Sequence, residues 1–331
     1  MTDNSQTMST ILPTTDSVSD QRAARDHRHD VWFRRSMQGA AMLVLLLLAA
    51  IAGSTLWGGS LAFKTFGLDF LTSTEWDAVN NHFGAVVPIY GTLVTSFLAL
   101  LIAVPVSFGI AIFLTEVAPP WLRMPIASAV ELLAGIPSII YGMWGLFVFG
   151  PFMAEYLSPW INDYLGALPL VGQLFQGPPL GIGMLTAGIV LAIMILPFIT
   201  SVMHEVFRSV PTTLKESAYA LGGTTWEVVW DIVLPYTRSA VMGGVFLGLG
   251  RALGETMAVT FVLGNAPQFS ASLLMPSSSI ASVIANEFSE AYTDLHRSAL
   301  IALGFLLFVV TFIVLALARL MLSRLSRKEG L

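Results

Sequence analysis

Residues 214–235 read Leu214-Lys215-Glu216-Ser217-Ala218-Tyr219-Ala220-Leu221-Gly222-Gly223-Thr224-Thr225-Trp226-Glu227-Val228-Val229-Trp230-Asp231-Ile232-Val233-Leu234-Pro235. Residues 214–221 are mostly good helix formers, and they stop at a Gly-Gly pair, glycine being favoured just past a helix end. Thr224 and Glu227 stand at capping-box spacing, so a second helix starts there and runs into the Ile-Val-Leu-Pro sequence. Ser217, Ala218 and Ala220 are small enough for another protein's surface to approach closely. The pattern predicts either a rigid docking element of two short helices or an amphipathic linker at the membrane headgroups.

Outward from this loop the chain turns apolar. Its 331 residues carry 16 Lys or Arg and 21 Asp or Glu, and 55% of them are hydrophobic, with a mean hydropathy of +0.75. The charged share is 11%, against about 25% in an ordinary soluble domain. That leaves too little charge to cover a soluble enzyme of this size. Residues 36–63, 78–115, 132–154, 164–204, 256–286 and 298–318 contain no charged side chain. A helix crossing the hydrocarbon needs about 20 mostly apolar residues. The expected spans lie near residues 39–57, 86–114, 126–149, 182–206, 239–263 and 299–322, the fifth interrupted by Arg251 and Glu255. The fold class is an all-α integral membrane protein with six transmembrane helices.

Lys and Arg are retained on the cytoplasmic side of such proteins. Thirteen of the sixteen cations fall on one side: five in the N-terminal tail, Arg123, then Arg208, Lys215 and Arg238, and four from Arg319 to Lys328. Lys64 and Arg297 fall on the other side, and Arg251 lies inside helix five. Both termini are therefore expected in the cytoplasm. The organisation predicted is a disordered tail over 1–36, a first helix with an external loop over 37–85, and a core over 86–322. Residues 207–238 form its cytoplasmic loop and 323–331 a short tail.

The chemistry that is missing also narrows the function. The sequence has no cysteine, which excludes disulfides and thiolate metal sites. Its five histidines form no metal-ligand spacing beside a carboxylate, and none of its three lysines follows a glycine as a nucleotide-cradling loop requires. ATP, if it drives this protein, is bound by another chain. No enzyme, no cofactor and no nucleic-acid partner is expected; the surroundings are membrane lipid.

Two intramembrane features carry candidate function. Arg251 and Glu255 are four apart, on one helical face and able to pair. Gly244 and Gly248 share that face, while Gly243, Gly250 and Gly254 form a small-residue stripe beside it. An intramembrane charge costs about 2.5–3.5 kcal/mol on insertion scales. The pair is either a self-neutralising lock on helix packing or the lining of an anion path, with Glu255 tuning Arg251. In helix three, Glu131 precedes Gly135-Ile136-Pro137-Ser138, where the backbone ladder is disrupted. This is either a proline kink or a broken helix presenting Glu131, Pro137 and Ser138 to a substrate. Residues 282–288 could form a short external amphipathic helix.

Glu216-Ser217-Ala218, three residues, Gly222, nine residues and Ile232-Val233-Leu234-Pro235 resemble the Glu-Ala-Ala-x3-Gly-x9-Ile-x-Leu-Pro signature of ABC importer permeases, with Ser217 in place of one alanine. Pro88 to Leu93, Glu131 to Trp144, Arg251 to Ala258, Gly264 to Gln268 and Ser279 to Phe288 add a closer likeness to PstC-type permeases of the phosphate-specific importers. The likeness covers most of residues 85–320. It implies a type I ABC importer permease fold in a bacterial cytoplasmic (inner) membrane, multi-pass. It also implies a second related permease, two copies of a cytoplasmic ATPase subunit and an external phosphate-binding protein. In that family the loop sits in a cleft of the ATPase and carries its motion to the membrane. A sulfate or molybdate permease, a secondary transporter or a sensory subunit are the alternatives.

Overall fold

The computed structural model describes residues 15–169 and 171–328, which are predominantly helical. In chain order the elements are α1 (Thr15–Gly58), α2 (Ser60–Phe66), α3 (Asp69–Thr72), the short antiparallel strands β1 (Trp76–Asp77) and β2 (His82–Phe83), α4 (Val86–Val117), α5 (Pro120–Ala134), α6 (Ser138–Tyr164), α7 (Met184–Arg208), α8 (Thr212–Ala220), α9 (Thr225–Leu253), α10 (Met257–Val262), α11 (Ile280–Glu287) and α12 (Asp294–Lys328). Among the described residues six helices are long and apolar enough to cross a membrane: α1, α4, α6, α7, α9 and α12. The chain divides into a unit of residues 1–54 and a second unit from residue 55 onward.

The first unit corrects one expectation. Residues 15–36, read from composition as disordered, are the opening turns of α1. No Pro or Gly occurs between residues 14 and 38, so the helix extends backward from an apolar segment that has already nucleated it. The expectation for residues 1–14 lies outside the described residues. At the other end, α12 continues to Lys328, through most of the segment expected as a tail.

The second unit is organised around α7. Met184, Leu191, Met194, Ile195, Ile199, Met203 and Phe207 on this helix are all buried, as is expected of a helix apolar on every side. Ala99, Ala103 and Ala111 of α4 lie in the same cluster, and these small side chains let the two backbones approach. Ser107 of α4 donates to the carbonyl of Leu196 across that interface. A second cluster joins Phe70, Trp76 and Phe83 to Ile280 and Val283 of α11 and to Leu300 and Leu303 of α12. It forms the end of the unit away from the loop between α7 and α9.

Proline sets where the helices widen and stop. Four π turns, Phe113–Val117, Gly145–Phe149, Met153–Leu157 and Val229–Val233, each end two residues before a proline: Pro119, Pro151, Pro159 and Pro235. Proline lacks an N–H and its ring crowds the preceding turn. A wider turn accommodates both defects.

Two spans differ from the sequence reading. The third, expected near 126–149, is cut at Gly135-Ile136-Pro137: α5 ends at Ala134 and the spanning helix runs from Ser138 to Tyr164. Pro137 disfavours helical geometry at Ile136 and cannot donate to the carbonyl of Leu133. The hydroxyl of Tyr141 donates to that carbonyl instead, at 2.8 Å. The fifth span, expected near 239–263, starts at Thr225 and ends at Leu253. Gly254-Glu255-Thr256 leave the helix, and the Glu255 carboxylate accepts from the backbone N–H of Ala258 at the start of α10. A residue-by-residue hydropathy reading cannot see such breaks, because the residues on both sides stay apolar.

Candidate functional site

Helix α9 carries two glycine faces with different fates. On one, a Cβ added at Gly244 or Gly248 would stand 3.0 Å from Val202 or 2.6 Å from Ile199 of α7, so this face is filled. On the other, Gly243 and Gly250 have nothing within 4 Å of such a Cβ. That open face forms one wall of a groove of about 600 Å³ between α9 and α12. Arg251 lines it together with Arg319 of α12, and Ser239 lies at the opposite end of its α9 wall from Arg251.

The Arg251 side chain is 37% exposed and the Glu255 side chain 5%. The expected pair does form, since Arg251 Nη2 lies 4.0 Å from Glu255 Oε2. That distance is too long for a hydrogen bond. Nη2 also lies 4.0 Å from the sulfur of Met194, and the guanidinium sits over the Phe198 ring at 4.8 Å. Arg251 Nε is buried and has no hydrogen-bond partner among the described residues. A guanidinium has five donors in a planar fork. Here it is held by soft contacts and one loose ion pair, so donors remain for an oxyanion.

Glu131 is exposed and lies elsewhere. It lines a separate cavity of about 40 Å³ between α5 and α7 with Thr200, His204 and Glu205. Pro137 and Ser138 form the junction between α5 and α6, where Pro137 is exposed and Ser138 half-buried. Arg251 and Glu255 are thus brought together, while Glu131 stands apart from their groove. No group of three or more His, Asp or Glu converges to hold a metal among the described residues.

The loop between α7 and α9 folds as its sequence requires. The N–H of Gly223 reaches back to the carbonyl of Ala218 and that of Gly222 to Tyr219, closing α8 with Gly222 at φ +90°. Thr224 and Glu227 make both bonds of the capping box. Glu216, Ser217 and Gly222 are exposed, and Ser217 donates to the carbonyl of Thr213, so the hydroxyl replacing the expected methyl is satisfied within its own helix. Ala218 is partly buried against the core. Ile232 and Leu234 are half-buried around a fully buried Val233, and Pro235 stands in the first turn of the regular part of α9. At the tip, Leu221 is 91% and Trp226 67% exposed.

Two functional candidates escape a reading of the sequence. Arg319 counts only as a terminal cation until α12 packs beside α9. Lys215 counts only as a loop cation, yet its ammonium donates to Glu116 at the end of α4 and, at 3.3 Å, to the carbonyl of Phe207 in α7. The two side chains are only 15% and 8% exposed. The one signal in the sequence is a lone carboxylate closing the charge-free interval of residues 78–115.

Comparison with known proteins supplies the family. Residues 107–327 match the model described as binding-protein-dependent transport system inner membrane component. A phosphate transport system permease protein PstC of Xylella fastidiosa (strain 9a5c) is 63% identical over 322 residues, covering 97% of this chain and 99% of the relative. That of Pasteurella multocida (strain Pm70) is 57% identical over 304 residues, covering 92% and 95%. Among solved structures, a bacterial alginate ABC transporter in complex with its alginate pentasaccharide-bound periplasmic protein aligns with TM-score 0.59 at 20% identity, over 91% of this chain and 97% of that one. It shares the fold. The six spans, the loop and the family match agree, and the chain belongs to the binding-protein-dependent transport system inner membrane components, among the PstC permease proteins of phosphate transport systems.

Proposed function

We propose that this chain is the permease subunit that forms half of the translocation path of an ATP-driven phosphate importer in the bacterial inner membrane. The observation that carries the reading is the condition of Arg251. It lines an open groove beside a spanning helix, 37% exposed, with soft contacts and one loose ion pair to compensate it. An entering oxyanion meets a charge that gives up only a long contact to the Met194 sulfur and a loose ion pair to receive it. Planar bidentate donors match phosphate oxygens. Relatives named for phosphate transport at 55–63% identity support phosphate over sulfate or molybdate.

The cation distribution supports a cytoplasmic side for both termini and the α7–α9 loop. The exposed Leu221 and Trp226 then face two cytoplasmic ATPase subunits, and the open Gly243 and Gly250 face receives the second permease, which completes the groove. The opposite end, with β1, β2 and α11, meets an external phosphate-binding protein. ATP-driven closure of the ATPase pair moves residues 216–235, the permease pair opens outward, and Arg251 takes the anion. Glu255 partners Arg251 between passages. Glu131, Pro137 and Ser138 form a second part of the path at the broken helix.

The test is radiolabelled phosphate uptake into proteoliposomes holding this chain with its second permease and ATPase, supplied with the binding protein. Uptake should require ATP and resist excess sulfate. An assembled Arg251→Ala variant that keeps wild-type uptake overturns the assignment.

A further inference from the structure

The docking loop is gripped unevenly: Val228 and Val233 in its second half are buried in the core, whereas its first helix has a weak apolar grip. Helix α8 has no fully buried residue, and Leu214, Tyr219 and Leu221 are 43%, 40% and 91% exposed. What fastens it is polar. Lys215 is anchored at once to Glu116, 99 positions earlier in the chain, and to the carbonyl of Phe207. Phe207 is fully buried and meets Phe108 of α4 edge to face at 5.7 Å. Lys215 thus joins three elements at one point: α8, the end of α4 and the end of α7.

We propose that Lys215 is the positioning residue through which displacement of α8, the first helix of the docking loop, reaches α4 and α7. Apolar faces slide over one another, but a charge-assisted hydrogen bond has a fixed length and direction. Held away from water, the pair resists both tension and shear. A push on α8 is then delivered to α4 and α7, the two helices that form the centre of the second unit. α7 also packs against the Arg251 helix through Ile199 and Val202. The path runs from α8 to α7 and on to the Arg251 end of α9, beside the direct backbone link that residues 225–235 make as the first turns of α9. This rests on the importer reading above.

The experiment measures phosphate taken up per ATP hydrolysed in proteoliposomes of the full complex. Wild type comes first: if it shows no ATP-dependent uptake, the importer reading fails independently of Lys215. The variant is the double substitution Glu116→Gln with Lys215→Met, which removes the tie without leaving a buried unpaired charge. Transmission through Lys215 predicts an assembled complex that still hydrolyses ATP, with the uptake-to-hydrolysis ratio lowered about tenfold. Lys215→Arg, whose guanidinium can donate to both partners, should keep the wild-type ratio. A ratio unchanged in the double variant overturns the proposal, whatever the absolute rates. Failure of the double variant to assemble overturns it too, since the pair then serves folding.

Discussion

Among the described residues the Lys215–Glu116 and Arg251–Glu255 pairs are built in opposite ways. Lys215 and Glu116 come from distant parts of the chain, are 15% and 8% exposed, and leave the ammonium a second acceptor at Phe207. Arg251 and Glu255 are four residues apart, stand 4.0 Å from each other, and leave Arg251 more than a third exposed. The first pair is closed and satisfied, which suits a mechanical joint. The second is open and under-satisfied, which suits a site that waits for an anion. Residue type does not separate them. The number of partners and the access to the groove do.

Breaking the closed pair singly should have the largest effect. Glu116→Gln or Lys215→Met leaves one buried charge without its partner, which costs about 3–5 kcal/mol, read as a lowered midpoint in thermal unfolding of the detergent-purified protein. If either single substitution left the midpoint unchanged, the pair would be solvated and the contrast between the two sites would collapse. Arg251→Ala should act the other way, on transport and not on folding. We expect phosphate uptake to fall about 100-fold, equivalent to about 2.8 kcal/mol, with the unfolding midpoint little changed. A large loss of stability would make Arg251 a packing lock.

The two glycine faces of α9 sharpen the same contrast. Gly248→Leu drives atoms into Ile199 and should destabilise by about 1–3 kcal/mol through overpacking. Gly250→Leu enters open space and should leave the stability of the isolated chain within about 0.5 kcal/mol of wild type. If that face receives the second permease, co-purification with it should fail in Gly250→Leu and survive in Gly250→Ala. The smallest effect is expected at the loop tip. Gly222→Ala forces a side chain into φ +90° at a cost of about 1–2 kcal/mol, local to α8, and should appear as faster amide exchange over residues 212–223.

Much of this architecture is legible in the order of the residues. The spans other than the fifth follow from charge-free length, and three of the six fall within a few residues of their predicted positions. The α7–α9 loop is legible almost atom by atom, because Gly222 and the Thr224–Glu227 box act within one turn. The breaks at Pro137 and Gly254 are partly legible. Proline and glycine announce a defect, but whether the helix kinks or stops depends on which groups bond the carbonyl that loses its usual i+4 donor. Tyr141 takes it at Leu133. Glu131 reads in sequence as a second candidate beside Arg251, and the fold gives it a cavity of its own.

Local chemistry therefore determined from sequence alone that this is a six-span membrane protein, that its docking loop is two helices at a glycine turn, and that Arg251 and Glu255 stand close enough to pair. Hydropathy, capping and i,i+4 spacing act over a few residues and need no neighbour. The tertiary structure decided the rest: which glycine face of α9 is filled, that Arg319 joins Arg251 along one groove, and that Lys215 finds Glu116. Those outcomes rest on contacts between segments far apart in the chain, where a side chain's partner is set by how whole helices pack.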